Sequence, residues 1–114
     1  MPFDPRDFLS LAENLASAST ANEADLRTAI SRAYYAVHLR ARETLVAADQ
    51  MQSTKSGADH EIVISKLRSR GGSLGDQVDW LRLRRNRADY RLGSSVAAKA
   101  QNIVTVAQII WPRI

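Results

Sequence analysis

Arginine is the side chain best placed to do chemistry in this 114-residue chain, and it is concentrated in one stretch. Between Trp80 and Leu92 stand Arg82, Arg84, Arg85, Arg87 and Arg91 against a single acid, Asp89, for a local charge of +4. That equals the net charge of the whole chain, so everything outside the stretch is neutral on balance. A planar guanidinium fork suits phosphate or carboxylate and stacks on bases. A sequence pI near 10.0 points the same way, to an acidic partner such as RNA, a nucleotide or an acidic protein face. Thirteen of the sixteen basic residues are arginine. A GC-rich coding sequence would also favour that ratio, so the clustering carries the argument.

Other chemistry is sparse. With no cysteine there is no disulfide and no thiolate nucleophile, and a reducing cytoplasm is the simplest setting. His38 and His60 are not at ligand spacing, so neither a metal site nor a cofactor is expected. Gly71-Gly72 lacks the strand before it and the Lys-Ser/Thr after it that a phosphate loop needs. His38 reads as a partly exposed residue on a helix flank. His60 either completes the polar segment before it or supplies an imidazole to Arg85, if the fold brings the two together.

The element carrying the arginines reads as a helix and sorts into three stripes at about 100° per residue. Val78, Leu81, Arg85, Ala88, Asp89 and Leu92 share one side, which faces a core. Trp80, Arg84, Arg87 and Arg91 fall nearly opposite, and Asp79, Leu83, Asn86 and Tyr90 lie between. Arg85 and Asp89 stand four apart, where their side chains can meet. A cation drawn toward a core needs such a partner. The pair is either a structural bridge fixing this helix or a phosphate ligand at a cleft. The outer ladder is either a solvated face or a binding face with Trp80 as a stacking platform.

The rest of the chain supplies helices to hold this one. Asp4-Pro5 starts the first, with Phe8, Leu11, Ala12 and Leu15 at helical spacing. Asn22 caps a long second helix, roughly 23 to 47, whose buried line is Leu26, Ile30, Ala33, Val37 and Thr44. Apolar residues on more than one face place it at the centre of a bundle or in an oligomer. Residues 48 to 58 form one long polar loop, of the length that is often mobile or functional. A third helix over Asp59 to Arg70 ends at Gly71-Gly72. The fourth opens near Ser73 and stops at Gly93, and the fifth is capped by Ser94 or Ser95 and ended by Pro112. No strand-like alternation appears. The expectation is a single domain over 1 to 114, an all-α antiparallel (up-and-down) bundle of four to five helices. Nothing from Met1 to Asp7 resembles a signal peptide, and no apolar run approaches the roughly 20 residues that span a bilayer.

Two segments carry a resemblance: Ser31-Arg-Ala-Tyr-Tyr-Ala-Val37 with Arg42 beyond, and Leu83-Arg-Arg-Asn-Arg-Ala-Asp-Tyr90. Together with His60 at the start of the third helix, they resemble the HEPN superfamily of small helical domains, in its prokaryotic branch with Arg-Ala-Tyr-Tyr-Ala and Arg-x-x-Ala-Asp-Tyr motifs. The resemblance implies a homodimeric bundle that binds RNA or a nucleotide and works beside a nucleotidyltransferase, in a toxin–antitoxin or defence-type pair. Trp80, Arg84, Arg85, Asn86, Arg87 and Arg91 are then the binding residues. In the active branches an Arg, a polar residue and a later His cut RNA without metal. Here Arg85-Asn86 matches the first half, but no histidine follows His60. Arg85, Asp89, Tyr90 and His60 are therefore the candidates for a metal-independent ribonuclease, the alternative to pure binding. A structural adaptor gripping an acidic protein is the third reading.

Overall fold

A computed structural model describes residues 3 to 114 and shows an all-α helical bundle. Met1 and Pro2, the start of the polar N-terminal stretch, lie outside the described residues. The helices are α1 (Arg6–Ser17), α2 (Glu23–Ala47), α3 (Ala58–Ser69), α4 (Leu74–Tyr90) and α5 (Ala100–Ile110), followed by a short 3-10 turn, Trp111–Arg113. Among the described residues, no helix is long and apolar enough to cross a membrane.

Helix α2 is the axis of the bundle and packs against each of the other four helices. Its start is fixed by a reciprocal capping box: Asn22 Oδ1 accepts from the Asp25 N–H, and Asp25 Oδ2 accepts from the Asn22 N–H. Two adjoining lines of α2 are buried. Ile30, Ala33 and Val37 form the expected one, and Tyr34, His38, Ala41 and Leu45 form a second beside it. α5 contributes Ala100, Ile103, Val104, Ala107 and Ile110, and α1 contributes Leu9 and Ala12. Each fully buried large side chain of this core stabilises the fold by about 1.5–3 kcal/mol.

Boundaries differ from the periodic pattern where the chain leaves helical geometry early. α4 ends at Tyr90, because Arg91 turns to an extended conformation, rather than running to Gly93. Leu92, expected on the buried stripe, consequently stands outside the helix and is 80% exposed. α5 starts at Ala100, several residues beyond the serines expected to cap it. After α3 the chain passes through Gly71 and Gly72, both at positive φ (+81° and +73°), which glycine adopts without steric penalty.

The polar loop between α2 and α3 is tied down rather than loose. Asp59, buried at the start of α3, accepts hydrogen bonds from Ser53 Oγ (2.6 Å), Thr54 N–H (2.8 Å) and Thr54 Oγ1 (2.7 Å). Those bonds, Ser53's first, hold the Asp59 carboxyl down at about 2. Met51 is buried in the core, and Arg70 donates to Gln50 at 3.0 Å, so the loop is anchored along its length. α3 and α4 approach closely at Gly75, where a Cβ would stand 2.7 Å from the Arg68 backbone nitrogen.

Candidate functional site

The buried line of α4 runs through Leu74, Val78, Leu81, Arg85 and Ala88, which puts a guanidinium among apolar side chains. Arg85 is only 7% exposed. Its guanidinium carbon lies 5.4 Å from the ring centroid of Tyr34 and 5.2 Å from that of Tyr35, both on α2. The expected pairing with Asp89 is present but long, at 3.8 Å. Asp89 stands at the exposed edge of α4 and also accepts from Ser31 Oγ at 3.3 Å. Arg85 is thus held more by two aromatic faces than by its carboxylate, and its buried Nε has no partner among the described residues. A desolvated cation with an unused donor is a common mark of a functional position.

His60, at the start of α3, reaches the same aromatic pair. Its Nδ1 is hydrogen-bonded to the Tyr34 hydroxyl, and its ring packs on Tyr34 and edge-on to Tyr35. His38 stacks on His60 with centroids 4.2 Å apart. Burial pushes His38 down to about 3 and raises Tyr34 well above the usual phenol range. His60 is also lowered, by burial first and then by the charges of Arg82 and Arg85. Both imidazoles are therefore neutral near pH 7, beside a phenol that keeps its proton. His38 is 3% exposed, not the partly exposed flank residue that the pattern suggested. The signal was there: Tyr34, His38, Ala41 and Leu45 recur at i, i+4, i+7 and i+11, a second inward line that a single-line reading of α2 passes over.

A groove of about 700 Å³ runs past this cluster, between α2 and the 48–57 loop, with Tyr35, His38, Arg42, Lys55 and His60 on its walls. A neutral imidazole can take a proton there, and a fixed guanidinium can hold an anion. The fold thus brings Arg85 and His60 to Tyr34 and Tyr35, with Asp89 at the exposed edge 3.8 Å from Arg85. It leaves Tyr90 out: that side chain is 73% exposed on the outer surface of α4.

The outer surface is a different environment. Trp80 is half-buried against the core, and the Arg84 guanidinium covers its ring at 4.7 Å, so the indole is less open than a free stacking platform. Among the described residues Arg84, Arg87 and Arg91 have no acid within ion-pair distance. They form a ridge between two hollows. One is an outer groove of about 460 Å³ shared with Leu83, Asn86 and Tyr90. The other is a cleft of about 300 Å³ toward α5, where Ser94, Ser95 and Lys99 join the arginines over Ile30, Val96 and Ile103. Lys99 and Ser94 come from the α4–α5 connection, where helical sorting has nothing to say.

That connection is fixed by α2. Arg27 donates to the carbonyls of Ala88 (2.8 Å), Arg91 (2.9 Å) and Ser94 (2.6 Å), and pairs with Glu23 at 3.2 Å. Glu23 in turn accepts from Val96 N–H (2.9 Å) and Ser95 Oγ (2.8 Å), which lower its pKa. The clamp donates to the Ala88 carbonyl in the last turn of α4, which the helix itself leaves unpaired, and to two carbonyls beyond the helix. No family model, curated protein or solved structure matches this chain.

Proposed function

We propose that this chain is a HEPN-like module that binds single-stranded RNA or a nucleotide on the outer surface of α4. The observation that carries the reading is the ridge of Arg84, Arg87 and Arg91, without acids to neutralise it, beside the exposed ring of Tyr90. Guanidinium groups that track phosphates, next to an aromatic face that stacks a base, make up the common single-strand binding pattern. Arg85, buried inside the bundle, is not part of this surface. The reading includes a second copy of the chain and a nucleotidyltransferase partner, in a toxin–antitoxin or defence-type pair. Fluorescence anisotropy with a labelled oligoribonucleotide tests the binding. Affinity should fall with a log–log salt slope of about −2 if three phosphates are neutralised. Absent binding, or binding indifferent to salt, sinks the reading.

A second reading is favoured by His60 sharing Tyr34 and Tyr35 with Arg85. In a metal-independent ribonuclease His60 would take the proton of a ribose 2′-hydroxyl, whose oxygen attacks the adjacent phosphorus. A 2′,3′-cyclic phosphate forms, the 5′-oxygen leaves and takes up a proton from water, and Arg85 balances the charge building on phosphate. Cleavage that persists in EDTA and disappears in both His60→Gln and Arg85→Met supports it. Intact tRNA and mRNA after prolonged incubation with the purified chain rejects it.

A further inference from the structure

We propose that the cleft between α4 and the start of α5 is a receptor for a terminal phosphate monoester, carried by a nucleotide or by the end of an RNA strand. The proposal rests on the nucleic-acid reading above and adds a second, distinct subsite to it. Four cations line the cleft, Arg84, Arg87, Arg91 and Lys99, and no acid is among its walls. The Glu23 carboxylate, which bonds to the same connection, is already committed to Arg27, Ser95 and Val96. Arg84 is held in place by Trp80, whose ring lies 4.7 Å from its guanidinium carbon.

Charge and shape together select the ligand. A phosphodiester within a strand carries a single negative charge and must let the chain leave on both sides. A monoester carries close to two charges near neutral pH, exposes three acceptor oxygens and needs only one exit. A recess of about 300 Å³ suits the second kind of group. Its floor of Ile30, Val96 and Ile103 offers apolar surface for a sugar or base. The Ser94 hydroxyl at the rim can donate to a phosphate oxygen. The ridge arginines belong to both hollows, so a strand lying in the outer groove can turn its end into the cleft without leaving the cationic surface. The Arg27–Glu23 clamp holds the wall carrying Ser94, Ser95 and Val96, so the cleft is formed before any ligand arrives.

The experiment is a titration of the full chain with one fluorescent oligoribonucleotide in three forms, with a 5′-phosphate, a 3′-phosphate, or hydroxyls at both ends. Calorimetry with AMP and with adenosine accompanies it. At least one phosphorylated form should bind about ten-fold tighter than the hydroxyl form, the effect of one or two added charge-assisted hydrogen bonds. AMP should bind where adenosine does not. Lys99→Ala should shrink the ratio of phosphorylated to hydroxyl affinity toward one, with an unchanged melting temperature. Lys66→Ala, which removes an exposed lysine from α3, should keep the ratio. Equal affinity for all three oligonucleotides together with no AMP binding overturns the cleft and leaves the groove reading standing. AMP binding that Lys99→Ala weakens, with no oligonucleotide bound, supports the cleft and overturns the strand. An acidic peptide that displaces AMP at equal or lower concentration also overturns the assignment to phosphate.

Discussion

The imidazoles of His38 and His60 lie face to face, 4.2 Å between centroids and 25° between planes, one from the centre of α2 and one from the start of α3. Burial disfavours charge on both, and the His60 ring lowers His38 further, while the charges of Arg82 and Arg85 lower His60 further. In the unfolded chain both titrate near 6.5. Below that pH the unfolded state binds more protons than the folded one, so stability must fall on acidification, down to about 3 for His38. Each such proton contributes a slope of up to about 1.4 kcal/mol per pH unit. Urea denaturation between pH 7.5 and 4.5 should show that decline, and His38→Leu should flatten it. A wild-type stability constant across the range contradicts the neutral pair.

Arg85 separates folding from function. Arg85→Met keeps much of the volume and removes the buried charge, a type of change that is often neutral or stabilising. The melting temperature should hold or rise, while any activity that uses this guanidinium is lost. Asp89→Asn should cost under about 1 kcal/mol, because the ion pair it removes is long and partly exposed. A large loss of stability in Asp89→Asn would mean that the carboxylate, rather than Tyr34 and Tyr35, holds the cation.

Two glycines should respond in opposite ways to alanine. Gly75→Ala drives a methyl into the Arg68 backbone, which cannot rotate aside as a side-chain tip could. It should destabilise by about 1–3 kcal/mol. Gly57, just before α3, has open space around it and a φ of −61°. Gly57→Ala should be neutral or stabilise by about 0.4–1 kcal/mol through the unfolded chain. Thermal melts of the two variants decide both.

Asp59 sets the order of the α2–α3 loop. Asp59→Asn removes the charge and one of the two acceptor oxygens that Ser53 and Thr54 use, so the Thr54 amide should exchange hydrogen faster at pH 6 than in the wild type. Since the folded carboxyl is held below its usual value of 3.8, its contribution is complete above that pH and is lost as pH falls toward about 2. Unchanged exchange in the variant would assign the loop's order to Met51 and Arg70 instead.

Much of this was legible in the sequence, and the failures have physical causes. Asn22 at the start of α2, Gly71-Gly72 at the end of α3 and the inward line of Val78, Leu81 and Ala88 on α4 read directly, because capping and periodicity are local properties. Arg85 could be placed inward from its stripe, since Val78, Leu81 and Ala88 leave it no other side. Its true partners could not, because Tyr34 and Tyr35 lie some 50 residues away and no spacing rule connects them. His38 was misread because α2 buries two adjacent lines, so a polar residue next to one can sit in the middle of the other. Lys99 had no sequence signal, and Ser94, expected as a helix cap, is a wall of the cleft instead, because the α4–α5 connection runs on to Lys99.

Arg27 and Glu23 give that shape a kinetic meaning. A loop closed by carbonyl and amide bonds to a central helix loses its freedom when the chain folds, not when a ligand binds. Association at the cleft should then be a single encounter step, accelerated by the field of the arginine ridge and slowed by salt. Arg27→Met would turn it into a two-step process, with a slow phase that saturates as ligand concentration rises.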